Sequence, residues 1–164
     1  MNTAQAYPSA TGDGAGAERA AGTRSSGDRR AEAPVERAVY EYAVIRVVPC
    51  VVRGEFLNAG VILYSQPHAY LCARTELDGS RLRALDESID LAEVGRALAA
   101  YERACSADSG PLRGEPLGSR FRWLTAPRST VVQTGPVHAG LTGDPAAELE
   151  CLLDRLVRRG AGGR

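Results

Sequence analysis

Lysine is missing from this chain, and all 20 of its basic residues are arginine. No reaction here can therefore use a lysine Schiff base, a phosphate-loop lysine or a depressed-pKa lysine base. GC-rich coding, which also favours Ala and Gly, accounts for the bias. Charge of either sign is in no excess, with 20 basic against 20 acidic residues. That balance removes the compositional argument for a nucleic-acid or membrane partner, so neither is expected. Cysteine is sparse: Cys50, Cys72, Cys105 and Cys151 form no C-x-x-C pair, and only His68 and His138 are present to join them. Closely spaced ligand pairs are what a zinc site needs, so no metal is expected. Without a signal peptide no disulfide framework is expected either, and Cys72, Cys105 and Cys151 read as small core side chains. No apolar run approaches the roughly 18 residues of a membrane span, and no charged start precedes an apolar stretch. The expectation is a soluble, cytoplasmic protein with no cofactor.

The 164 residues leave room for one domain with tails. Residues 1–34 are rich in Ala, Gly, Ser, Thr and Arg, with Tyr7 their one aromatic. Such a segment buries too little apolar surface to offset the entropy of ordering it, and it reads as a disordered extension. A start codon assigned too far upstream is the alternative. Residues 35–159 make the domain, and 160–164 a flexible tail.

The segment from Val39 to Val48 is β-branched and aromatic and reads as a strand ended or bulged near Pro49. Ala59–Ser65 and Tyr70–Glu76 are further strands, with Gln66-Pro67-His68 as their hairpin turn, giving a meander with the first. Ser80–Leu85 allows a turn or two of helix. Asp90 caps a longer helix in which Leu91, Val94, Leu98, Tyr101 and Cys105 recur at helical spacing, ended by Gly110-Pro111. Leu112–Gly118 reads as loop and Arg120–Leu124 as a short helix. Ser129–Thr134 is the last predicted strand, followed by a loop over residues 135–140. Asp144, Pro145 and the face Leu149, Leu152, Leu153, Leu156 and Val157 define a final helix, stopped by Gly160. The predicted class is α+β: a small, mainly antiparallel sheet of about four strands with two main helices.

Three segments can carry chemistry. Arg53-Gly54-Glu55-Phe56-Leu57-Asn58-Ala59-Gly60 places a guanidinium, a carboxylate and a carboxamide just before a buried strand, with glycines that permit close backbone approach. In extended chain Arg53 and Glu55 share a side and can line one pocket, as anion clamp and base; the alternative is a turn with an internal ion pair. Arg120-Phe121-Arg122-Trp123, continuing to Arg128, Ser129 and Thr130, interleaves aromatic and basic groups around the chain's only Trp. That suits base stacking or a protein interface, and equally a core pair with arginines that snorkel to solvent. Ser129 has no base beside it in sequence. His138, between Pro136 and Gly140, is a candidate acid or base, or a backbone-bonded loop residue.

The stretches Tyr40–Pro49, Arg53–Leu63 and Phe121–Gln133, in this order and spacing, resemble the DUF3037 family, bacterial proteins of unknown function. The resemblance covers about Tyr40 to Val157. Arg53, Glu55, Asn58, Gly60 and Ser129 stand where the family motif has the same residue types, and no catalytic role comes with them. Genes of the family often neighbour those of HipA-like kinases, so the resemblance implies such a kinase as partner.

Three functions follow. The first is a non-enzymatic accessory protein that binds a partner through Trp123–Thr130, with Arg120, Arg122, Trp123 and Arg128 as contacts. The second is a small-molecule-binding protein or enzyme that gathers Arg53, Glu55, Asn58 and His138 into one site. The third is single-strand nucleic-acid binding at Arg120–Arg128, which balanced charge disfavours.

Overall fold

The computed structural model describes residues 36–106 and 112–158. The extension over 1–34, the Gly110-Pro111 stop, Arg159 and the 160–164 tail lie outside the described residues.

The chain runs β1 (Ala38–Val47), β2 (Leu57–Ser65), β3 (Tyr70–Thr75), α1 (Gly79–Leu85), α2 (Leu91–Cys105), α3 (Leu117–Thr125), β4 (Val132–Thr142) and α4 (Pro145–Leu156). The strands form one antiparallel sheet in the order β3-β2-β1-β4. This is the expected α+β fold with its β1-β2-β3 meander. The residues 66–69 turn the chain between β2 and β3, and Ala69 takes the positive φ of 48°.

Alternation along β2 explains why the sheet is covered on both faces. Ile62 and Tyr64 point to the face packed by Leu82 of α1, Val94 and Leu98 of α2, and Phe121 and Leu124 of α3. Val61 and Leu63 point to the other face, where α4 supplies Leu149, Leu152 and Leu153. A strand buried on both sides reads as an unbroken apolar run, which is what residues 59–64 show. Tyr40 ties β1 to α4: its hydroxyl donates to Glu148 Oε1 at 2.7 Å, and burial first, then this bond, push it above its ordinary pKa.

The helix starts follow side-chain chemistry. Asp78, Asp90 and Asp144 each accept backbone N–H bonds from the second and third residues beyond them, satisfying donors that a helix leaves open. α2 buries Val94, Leu98, Tyr101 and Cys105, the predicted stripe. α3 begins at Leu117, so the predicted loop over 112–118 is shorter and the helix longer than expected. It has no side-chain cap, so the signal that marked the other starts is missing there.

The largest correction concerns β4. The expected loop over 135–140 is strand, and the fourth strand runs from Val132 to Thr142 rather than from Ser129 to Thr134. Ala43 pairs with Val137 and Ile45 with Thr134, so Gly135 and Pro136 together oppose Val44 in a bulge. A proline lacks the N–H that an interior ladder position requires, but a bulge on an edge strand accommodates it. Turn-like residues there mark a kink within a strand.

Candidate functional site

A groove of about 1020 Å³ lies on the face of the sheet that carries α2 and α3, between α2, the end of α3 and the segment entering β4. One side of α2 forms its wall, from Asp90 to Ala104. At 1.5 Å per residue that wall is about 21 Å long. Its middle is apolar and small, with Ala97, Ala100 and Ala104 beside Val94. Asp90 and Glu93 stand at the N-terminal end of α2, and Arg103 toward its C-terminal end.

The opposite lip is built by Trp123, Arg128, Ser129 and Thr130. Trp123 sits late on α3, whose Phe121 and Leu124 face the core, so the helical turn directs the indole outward. It is 47% exposed. The Arg128 guanidinium covers its ring at 4.1 Å, and Nη2 donates to the Trp123 carbonyl oxygen at 2.6 Å. Burial raises the Tyr101 hydroxyl above its ordinary pKa while the adjacent Arg128 charge opposes that shift. Thr130 donates to the Val132 carbonyl oxygen at 2.6 Å, shaping the turn into β4, and Ser129 is exposed.

The four sequence candidates for a contact surface divide. Trp123 and Arg128 line the groove. Arg122 is exposed and lines a smaller cavity of about 470 Å³ with Val39, Glu41 and Gln66. Arg120 is turned inward and 5% exposed, donating to the carbonyl oxygens of Glu115 and Cys105. It fastens α3 to the end of α2, which takes it out of any contact surface.

Arg53, Glu55, Asn58, Gly60, Ser129 and His138 do not converge on the groove. Of the six, only Ser129 lines it. Arg53 and Glu55 form an ion pair at 3.1 Å with both side chains about half exposed, and Arg53 also donates to the Leu85 carbonyl oxygen at 3.1 Å. Asn58 Nδ2 donates to the Leu156 carbonyl oxygen at 3.0 Å, closing the last turn of α4. Gly60 is required by close approach: a Cβ would meet the Arg74 carbonyl oxygen at 2.7 Å. His138 is exposed on β4 opposite Tyr42, with ring centroids 5.2 Å apart. Asn58 stands opposite Arg46, four residues further along β1 and on its other side. That separates Asn58 from His138 by at least about 13 Å of strand.

Two features escaped the sequence reading. The alanines of α2 at positions 97, 100 and 104 line a groove, and their spacing beside the core stripe was the available signal. Arg46, near the end of β1, is half-buried with its guanidinium 4.3 Å over the Phe56 ring, and it stands in one cross-strand row with Asn58 and Gln133. Among the described residues no cluster of three or more His, Cys, Asp or Glu could hold a metal ion, and no helix is long and apolar enough to cross a membrane.

The fold and groove define an α+β domain with a long, open, mainly apolar cleft beside a half-exposed tryptophan. A model of the family described as "Protein of unknown function (DUF3037)" matches residues 42–157, and the chain belongs to that family. No curated protein and no solved structure matches it.

Proposed function

We propose that this domain is a non-enzymatic binding protein whose groove between α2 and α3 receives a segment of a partner protein. The observation that carries this reading is the groove itself, about 1020 Å³ in volume. Pockets for single small molecules run from about 300 to 1,000 Å³. This cleft is at the top of that range and is drawn out along the whole of α2, a shape suited to a stretch of polypeptide. Trp and Arg, the pair on its lip, are the residue types that most often anchor protein interfaces. Its ends differ in charge, with Asp90 and Glu93 at one and Arg103 and Arg128 at the other. The complementary segment is apolar in its middle, basic toward Asp90 and acidic toward Arg128.

A HipA-like kinase is the partner this reading favours, on the family resemblance and its gene neighbourhood. The test is co-purification of the full chain with a HipA-like kinase, with Trp123→Ala as control. Association that the substitution abolishes supports the proposal, and no association at micromolar concentration removes it. The reading that gathers Arg53, Glu55, Asn58 and His138 into a catalytic or sensing site draws no support from positions so far apart.

A further inference from the structure

The two edges of the sheet are treated differently. At the β3 edge, Glu102 of α2 accepts from both the backbone N–H of Thr75 at 2.8 Å and its hydroxyl at 2.7 Å. There the chain's own helix caps the last residue of the strand. β4 is the other edge strand; the Gly135-Pro136 bulge interrupts it near its start, and among the described residues no strand pairs with its outer side beyond that bulge. Its sequence from Val132 to Thr142 contains no charged residue. Beyond the bulge at Gly135 and Pro136, residues 137–139 and 141 are all exposed, with Val137 at 44% and Leu141 at 61%. A long uncharged edge with exposed apolar side chains is a template for another strand.

We propose that the chain forms a two-fold dimer in which Val137–Leu141 of β4 pairs antiparallel with the same segment of a second copy, continuing the sheet across both. The second copy is the occupant because the segment is complementary to itself in one register. Opposed residues in an antiparallel ladder share one hydrogen-bonding direction, so a two-fold axis must pass between two copies of the same residue. An axis at His138 would set Pro136, which has no N–H, against Gly140 in the ladder. An axis at Gly140 would set Val137 against Gly143 and Leu141 against Ala139. An axis at Ala139 sets the small Ala139 against itself and Val137 against the second copy's Leu141, twice.

The register within each chain extends that match. Val39 pairs with Leu141 and Ala43 pairs with Val137. With the axis at Ala139, Val39 and Leu141 of one copy continue directly into Val137 and Ala43 of the other. This makes an unbroken apolar row across four strands on one face, and the two-fold repeats it. Val39, which is 53% exposed, gains its place in that row from the pairing. Cross-strand apolar pairs of this kind are what stabilise a sheet seam.

The test is the mass of the full chain in solution by sedimentation or light scattering across low to high micromolar concentration. The dimer is expected for the wild type and is lost in Leu141→Lys, whose fold is checked by circular dichroism. Ala139→Cys gives a second measurement, because opposed residues in such a ladder have Cα atoms within disulfide reach. Mild oxidation should give a covalent dimer with Ala139→Cys and none with the wild type, whose own cysteines serve as background control. A chain that stays monomeric throughout overturns the proposal. So does a dimer that persists in Leu141→Lys and yields no Ala139→Cys crosslink.

Discussion

The guanidinium of Arg128 lies over the ring of Trp123, 4.1 Å from its centroid, while its Nη2 donates to the carbonyl oxygen of that residue at 2.6 Å. Stacking and hydrogen bond together fix the indole at the lip of the groove before any partner arrives, which reduces the ordering cost of binding. Trp123→Ala should weaken partner association by at least about 30-fold, as for a central interface anchor. Arg128→Lys should weaken it less, because a lysine keeps the charge but loses the planar stack. Trp123 is the chain's only tryptophan, so its emission is a clean probe. Acrylamide quenching should fall when the partner binds, and unchanged quenching in a formed complex would place the contact elsewhere.

The Arg53–Asn58 segment separates into two kinds of residue. Asn58→Ala removes the bond to the Leu156 carbonyl and should cost about 1 to 2 kcal/mol of stability. The Arg53–Glu55 pair is half exposed and screened by solvent, so replacing either by Ala should change stability by no more than about 0.5 kcal/mol. Urea denaturation measures both. Partner binding should be unchanged in all three variants, and a loss of binding in Arg53→Ala would return that segment to candidacy as a site.

Gly60→Ala should be more damaging, because its Cβ would meet backbone, the Arg74 carbonyl oxygen, at 2.7 Å. Neither strand can yield without breaking the ladder between β2 and β3. A loss of about 1 to 3 kcal/mol is expected, as for overpacked interiors, read as a lower urea midpoint with an unchanged denaturant slope.

Acid should destabilise the fold through three aspartates. Asp78 is held below the usual carboxylate range chiefly by the Ser80 hydroxyl, Asp86 by the Ser88 hydroxyl, and Asp90 by the backbone N–H of Glu93 and then Ala92. The unfolded chain protonates these groups near about pH 4 while the folded chain still holds them charged. Their contribution is therefore whole above that pH and is lost as pH falls through the depressed folded values. The melting temperature should drop as pH falls below about 4. Asp78→Asn with Asp90→Asn should flatten that drop, since Asn caps a helix without titrating.

The cysteines should label unequally. Burial pushes the Cys105 thiol up to about 12, so at neutral pH it is both inaccessible and protonated. Cys151 is exposed on α4. A thiol reagent at neutral pH should modify Cys151 in the native state and reach Cys105 only on unfolding, which peptide mass mapping would show.

Much of this architecture was legible before any coordinates. The continuous apolar run at residues 59–64 implied a central strand, and the caps Asp90 and Asp144 with their apolar stripes located α2 and α4, because these signals are local. The errors arose where a residue's meaning depended on distant neighbours. Gly135 and Pro136 look like a turn unless β1 is known to lie alongside, in which case they are an edge-strand bulge. Arg120 looks like a surface cation until the carbonyls of Glu115 and Cys105 are placed around it.

By itself, then, the sequence determined the α+β class, the β1-β2-β3 meander, the capped helices and the family, since each rests on periodicity, caps or motif order along the chain. Only the tertiary structure decided that Arg53 and Glu55 pair in solvent, that Asn58 closes α4, that His138 lies on an edge strand, and that the alanines of α2 face Trp123 across a groove. The physical reason is that a groove and a sheet edge are made by surfaces left uncovered, and which surfaces those are is settled by how the elements pack.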